Sequence, residues 1–134
     1  MVTHEDIVSF LDRLSADGAT YTEVSDGIWN VKPAGPLDFG VVVNFLPPVV
    51  VLRVKVMDLP PNGAQRGALE HRLLELNGSD LLHGSYGLQK DEVVLTEALE
   101  LGHLDFEEFL SAYESITLAL ASHIRELASF REAR

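Results

Sequence analysis

The sequence contains no cysteine, and this absence removes several classes of protein. Without thiols there is no disulfide framework, no zinc–thiolate site and no cysteine nucleophile. No apolar run approaches the roughly 18 residues of a membrane-spanning helix. The first ten residues also lack the basic and apolar regions of a signal peptide. We therefore expect a soluble cytoplasmic protein that makes no contact with a membrane.

Basic residues are also scarce. The 134 residues include 10 Lys and Arg against 21 Asp and Glu, which gives a formal net charge of −11. Such a chain repels phosphate backbones, so we expect no direct nucleic-acid binding. It can attract a basic protein segment, although acidity also serves simple solubility. The length fits one domain over residues 1–134.

Catalytic and metal-binding motifs are missing as well. The histidines are His4, His71, His83, His103 and His123. No HExxH pair is present, an isolated His103-x-Asp105 carries little weight, and His123 is interpreted as a helix-surface residue. Residues 84–87 (GSYG) are followed by a strand pattern rather than by Gly-Lys-Ser/Thr and a helix, so they do not form a phosphate loop. We predict no enzyme activity, no cofactor and no metal site.

What the sequence does contain is one strongly apolar stretch, GVVVNFLPPVVVLRVKVM, at residues 40–57. Valine favours pleated strands, which predicts two strands on either side of Pro47-Pro48. The face to be covered carries Val41, Val43, Phe45, Val50, Leu52, Val54 and Val56. The other face is apolar at one end and cationic at the other. On that second face we predict a partner-binding site formed by Val42, Leu46, Val49, Val51, Arg53 and Lys55.

The connection at Pro47-Pro48 has three possible forms. Proline cannot adopt the positive φ that tight type I′ and II′ turns require. The turn is therefore wider than two residues, or it contains a cis peptide in a type VI turn. The third possibility is a single kinked strand.

The remaining periodicities predict three helices and four further strands. Helices are expected at residues 3–16, 64–76 and 105–130, with stripes of apolar residues at helical spacing. Thr3 and Asp6 fit a capping box at the start of the first helix, and Asn77-Gly78 is interpreted as the stop signal of the second. Strands are expected at 20–25 and 28–32, joined by a type I′ turn at Asp26-Gly27, and at 84–89 and 92–101. The order α-β-β-β-β-α-β-β-α predicts an α+β fold, a two-layer sandwich of an antiparallel sheet and helices.

Gly67 lies inside the predicted second helix, where glycine is less favourable than alanine by about 1 kcal/mol. Either this glycine is simply tolerated, or another backbone approaches it closely, such as that of a second copy. We therefore predict a homodimer with Gly67 and Leu74 in its interface.

The second half of the chain resembles the YbjN family, whose fold is that of the class I type III secretion chaperones. The matching features are Leu76-Asn77, Gly84-x-Tyr86-Gly87-Leu88, Val93-x-Leu95 and Leu104-Asp105-x-Glu107-Glu108. The resemblance implies a small, acidic, dimeric cytoplasmic protein of bacterial type without catalytic residues. The secretion chaperones bind an extended, partly unfolded effector segment on apolar patches, and YbjN-like members are often described as regulators.

Two hypotheses of different class follow. In the first, the protein is a non-enzymatic, chaperone-like homodimer that holds a partly unfolded or basic protein segment on apolar surfaces, with a regulatory role left open. In the alternative, it is a ligand-sensing or enzymatic domain with a small-molecule pocket between the last helix and the sheet.

Overall fold

The computed structural model describes residues 1–36, 38–61 and 63–132, with the side chain of Glu132 left aside. These residues form three helices and six strands in the predicted order, which confirms the α+β fold. The elements are α1 His4–Ala16, β1 Thr20–Ser25, β2 Ile28–Lys32, β3 Val41–Leu46, β4 Val49–Asp58, α2 Ala64–Ser79, β5 Ser85–Gln89, β6 Glu92–Glu100 and α3 Phe106–Glu132.

The six strands form one sheet in the order β1-β2-β3-β4-β6-β5. Every neighbouring pair is antiparallel. Strand β4 lies inside the sheet and pairs with β3 on one side and β6 on the other, whereas β1 and β5 are the two edges. The valine-rich strands therefore occupy the middle of the sheet, where side chains on one face are most completely covered.

The β3–β4 connection is a two-residue turn with a cis Pro47-Pro48 bond. Leu46 pairs with Val49 directly across it. Of the three possible forms, the structure therefore has the cis peptide, and the stretch is two strands rather than one kinked strand.

Two local expectations were wrong. The predicted inward face of β4 fails at Val56, because a bulge between Lys55 and Met57 shifts the register. Met57 is buried opposite Val93 instead, and Val56 is only partly buried. The Asp26-Gly27 turn is not type I′, since only Gly27, with φ of 76°, is in the left-handed region. A bulge between Glu23 and Ser25 accompanies this turn.

The second helix continues past its predicted end at Leu76 to Ser79. Asn77, which the sequence suggested as part of a stop signal, instead faces the edge strand. Its side-chain amide donates to the Tyr86 carbonyl at 3.0 Å, and its side-chain carbonyl accepts from the Tyr86 amide at 2.7 Å. The Asn77 side chain thus hydrogen-bonds the backbone of β5 as a neighbouring strand would, and it links α2 to the sheet. Because of this contact the chain remains helical at Asn77.

The helices cover one face of the sheet and enclose a single apolar core. Helix α1 begins with the predicted capping box between Thr3 and Asp6, and Asp105 accepts from the Glu108 amide at 2.8 Å at the start of α3. The largest fully buried side chains are Ile7, Leu11, Trp29, Leu52, Leu69, Leu76, Leu95, Leu101, Phe109, Ile116, Leu120 and Leu127. Each such aliphatic side chain contributes roughly 1.5–3 kcal/mol, so the core on this face holds the fold together.

Candidate binding surfaces

The opposite face of the β3–β4 hairpin is left uncovered by the helices. We call this surface the open face, and it comprises Val42, Leu46, Val49, Val51, Arg53 and Lys55. None of its apolar members belongs to the core cluster or packs against it. Their neighbours in sequence, such as Val43 and Leu52, are fully buried on the other side. The alternation of a strand therefore divides the valines into a fully buried set and a partly exposed set.

The strand register brings the six predicted residues together. Val42 pairs with Arg53, and Leu46 pairs with Val49. Val51 pairs with Asn44 on one side and Ala98 on the other. Leu46, at the hairpin end, is 49% exposed. The open face thus carries an apolar strip that runs from the proline turn toward Arg53, with Asn44 beside Val51 and Glu100 beside Val49.

The cationic end of the open face is largely neutralised. The Lys55 ammonium lies 3.1 Å from carboxylates of both Asp58 and Glu92, and hydrogen bonds to Asp58 and then Glu92 raise the pKa of Lys55. Arg53 makes no ion pair with any described residue. It lines a concavity of about 580 Å³ at the sheet end, together with Asp58, Leu59, Gln89, Lys90, Asp91 and Glu92. Charges of both signs are balanced here, so the face selects mainly for apolar groups.

A second apolar surface lies between α2 and the edge strand β5. We call it the α2–β5 groove, and it is lined by Glu70, Leu73, Leu74, Asn77, Tyr86, Gly87 and Leu88, with a volume of about 250 Å³. Leu74 is 70% exposed. Because β5 pairs only with β6, the groove runs beside an unpaired sheet edge.

The two residues predicted for a dimer interface share one exposed face of α2. Gly67 and Leu74 are seven positions apart, which places them on the same side of a helix. Apart from the adjacent residues and the backbone of its own helix, no heavy atom of the described residues lies within 4 Å of the position that a Cβ at Gly67 would take. The backbone at Gly67 is therefore open to approach from outside the chain, and its role in a dimer stays a prediction.

A buried polar network around His123 of α3 was not predicted from the sequence. His123 is buried rather than on the helix surface, because it continues the stripe of Ile116, Leu120 and Leu127. Its Nε2 lies 3.1 Å from the Asp80 carboxylate, and its Nδ1 lies 2.8 Å from the Tyr86 hydroxyl. The 3–4 residue spacing in the sequence was a signal that could have placed His123 inside.

The electrostatics of this network follow from its geometry. The hydrogen bond from His123 lowers the pKa of Asp80, so the carboxylate is ionised and accepts from Nε2–H. In the neutral ring Nδ1 then accepts from the Tyr86 hydroxyl. Burial raises the pKa of Tyr86, and the charge of Asp80 adds to the effect. This network joins the end of α2, strand β5 and α3.

The space between α3 and the sheet is filled with side chains. The fully buried residues that meet there are Val50, Leu52, Leu95, Phe109, Ile116, Leu120 and Leu127. Close-packed apolar side chains leave no room for a ligand at these positions. The alternative prediction of a small-molecule pocket between the last helix and the sheet therefore finds no space among these residues, and a concavity of about 190 Å³ lies elsewhere on α3, beside Leu110, Tyr113 and Thr117.

The class of the protein follows from its family, which consists of chaperone-type, non-enzymatic protein-binding modules, in agreement with the prediction of no enzyme activity. The chain belongs to the CesT_Tir_1 family, a type III chaperone family, whose model matches residues 2–133. None of the curated proteins compared with this chain matches it.

Solved structures show the same fold at low sequence identity. The chain is similar to YbjN from E. coli, with a TM-score of 0.65, 14% identity and 93% of each chain covered. It is similar to a chain of the heterodimeric ExoU–SpcU complex from the type III secretion system of Pseudomonas aeruginosa, with a TM-score of 0.63 and 18% identity over 87% of this chain and 93% of that one.

A chain of the HopA1–SchA chaperone–effector complex is also similar, with a TM-score of 0.56 and 12% identity over 99% of this chain and 100% of that one. These likenesses confirm the predicted YbjN-like, secretion-chaperone fold. None of the described helices is both long and apolar enough to cross a bilayer.

Proposed function

We propose that the protein is a chaperone-like module that holds a segment of a partner protein on the open face. The observation that carries this proposal is the apolar strip of the hairpin, which the helices leave uncovered although it lies on the two central valine-rich strands. A small protein that exposes such a patch commonly uses it for a partner. The family and the chaperone–effector complex among the similar structures support the same role.

The chemistry of the partner follows from the surface. Valine and leucine side chains on the open face favour an extended segment with apolar residues at alternate positions, since a strand presents every second side chain to one side. The positive charges of Arg53 and Lys55 are nearly balanced by the acidic residues around them. The net charge of −11 favours basic residues elsewhere in the same partner. A partly unfolded, basic segment meets both conditions.

Homodimerisation and a cytoplasmic location belong to the same proposal. The exposed α2 face with Gly67 and Leu74, next to the α2–β5 groove, supports a contact between two copies. Family membership supports the location. A regulatory role would follow if the held partner were itself a regulator.

Affinity purification with matched variants tests the binding role. The wild-type chain is expected to recover specific proteins from a lysate of its source organism. Val51→Glu, at the centre of the open face, should reduce that recovery by at least about tenfold because a carboxylate replaces an apolar contact. Leu118→Glu changes an exposed leucine on α3 (67% exposed) and should leave recovery unchanged.

Both variants are first shown to be folded by their thermal unfolding. Recovery that is equal for Val51→Glu and the wild type would move the binding site away from the open face. Recovery of no specific protein by the wild type would count against the chaperone-like role.

A further inference from the structure

Three metal-ligating side chains converge where α1 meets the β1–β2 hairpin. The ligand atoms of His4, Glu23 and Asp26 all lie within 4.8 Å of one another. His4 Nε2 is 3.3 Å from Glu23 Oε2 and 3.9 Å from Asp26 Oδ1. The cluster lies beside Phe45 of β3, and no binding role described so far uses it.

The imidazole of His4 is held in place by its surroundings. Its ring lies 4.9 Å from the Trp29 ring and 6.1 Å from the Phe45 ring, measured between centroids. Its Nδ1 faces the Glu5 carboxylate at 3.7 Å. Of the two ring nitrogens, Nε2 is the one that faces Glu23 and Asp26, so it is the nitrogen that a shared ion would meet.

The two carboxylates have different supports. Glu23 Oε2 accepts a hydrogen bond from the Gly27 amide at 3.1 Å, so the carboxylate is anchored within the hairpin. That bond, followed by the one to His4, lowers the pKa of Glu23. Asp26 is fully exposed in the turn, and its side chain can move toward the other two without breaking a buried contact.

The spacing suits a small divalent ion. Two ligands that each lie about 2.0–2.1 Å from a tetrahedral zinc are about 3.3 Å apart, which is the separation of the His4 and Glu23 atoms. One imidazole nitrogen with two carboxylate oxygens is a donor set that zinc accepts, whereas magnesium and calcium prefer oxygen alone. The acidic first turn of α1, Glu5 and Asp6, offsets the positive end of the helix dipole.

We propose that His4, Glu23 and Asp26 bind a zinc ion that joins the start of α1 to the β1–β2 hairpin. Three protein ligands leave the fourth tetrahedral position to water. Because the ligands come from elements 19 or more positions apart in the chain, the ion would act as a crosslink and stabilise the folded state when it is present. This inference does not depend on the proposed chaperone-like role.

Titration of the full chain with zinc chloride, followed by calorimetry and thermal unfolding, tests the site. The wild type should bind one zinc per chain at micromolar concentration, and its melting temperature should rise. Asp26→Asn and Glu23→Gln should each weaken binding by at least about tenfold, because each removes a carboxylate ligand. Magnesium should produce no shift.

The control is Asp91→Asn, which changes a similarly exposed aspartate in the turn of the β5–β6 hairpin. It should leave zinc binding unchanged. X-ray absorption should detect one imidazole nitrogen among oxygen ligands. The absence of zinc binding at micromolar concentration would overturn the proposal. Equal losses in the Asp26 and Asp91 variants, or a zinc site without imidazole, would also overturn it.

Discussion

At the scale of single residues, two buried tyrosines differ in what their hydroxyl groups contact. The Tyr86 hydroxyl reaches His123 Nδ1 at 2.8 Å. The Tyr113 hydroxyl is buried and has no hydrogen-bond partner among the described residues. A buried polar atom stabilises only when it is paired, so the same chemical change at the two positions should have opposite consequences.

Tyr86→Phe should lower the free energy of unfolding by about 1–3 kcal/mol, because it leaves the buried Nδ1 of His123 without its donor. Tyr113→Phe removes an unpaired hydroxyl and should be neutral or stabilising by up to about 1 kcal/mol. Urea unfolding of both variants measures the difference. A Tyr113 variant that is destabilised as strongly as the Tyr86 variant would contradict this explanation.

The buried Tyr113 predicts that the folded state loses stability at high pH. Burial raises the pKa of Tyr113 to about 12. The unfolded chain loses this proton near the usual value of about 10, so the folded chain holds more protons between the two pKa values. The stability from this group is complete below the unfolded pKa and is lost as pH rises through the folded one.

Urea midpoints measured as pH rises above about 10 should therefore fall for the wild type, and the slope should be smaller for Tyr113→Phe. Tyr86 contributes with the same sign, since its pKa is also raised by burial, and some slope should remain. Identical slopes in the two proteins would show that Tyr113 ionises in the folded chain as it does in solvent.

At the scale of helices and strands, the local sequence pattern predicted the structure correctly wherever an element buries one face and exposes the other. The alternation of valines predicted both faces of β3 and most of β4, and the capping box of Thr3 and Asp6 predicted the start of α1. Val56 was misplaced because a bulge depends on the partner strand, which is distant in sequence. The end of α2 was misplaced because Asn77 is held by Tyr86 across the fold.

Two glycines show how backbone and environment combine. Gly84 has φ of 80°, and a Cβ there would lie 2.9 Å from the Thr96 carbonyl oxygen. Gly84→Ala should therefore destabilise the chain by about 1–3 kcal/mol. Gly78 lies in α2, and outside its own helix and chain neighbours no heavy atom of the described residues comes within 4 Å of the position of an added Cβ, so Gly78→Ala should stabilise the chain by up to about 1 kcal/mol.

Chemical denaturation of the two alanine variants measures this contrast. If Gly84→Ala were as stable as the wild type, the carbonyl of Thr96 could move away without a loss of stability. The close approach would then have no energetic consequence.

At the scale of the whole molecule, the open face was predictable and the other surfaces were not. Its six residues are close in sequence, and the strand period alone places them together. The α2–β5 groove needs α2 to dock against a strand that follows it, and the cluster of His4, Glu23 and Asp26 needs a hairpin to fold back onto α1. Such convergence depends on tertiary packing, which a local pattern does not contain.

The proposed homodimer gives a prediction at this scale. Leu74→Glu places a charge on the exposed face of α2 and should shift a dimer to monomer at micromolar concentration, because burying an unpaired carboxylate in an interface is unfavourable. Leu118→Glu, an equally exposed change on α3, should leave the mass unchanged. Light scattering after size-exclusion chromatography measures both. A wild-type monomer would remove the dimer from the proposal.

The long-range pairing of β4 with β6 has a consequence for synthesis of the chain. Val49 pairs with Glu100, 51 positions later in a chain of 134 residues, so more than a third of the polypeptide must still be translated before β4 gains its second neighbour. During that interval a valine-rich strand has an unpaired edge, which other nascent chains can join. Fragments truncated before β6 should therefore aggregate, and the chain can complete its sheet only after β6 has left the ribosome.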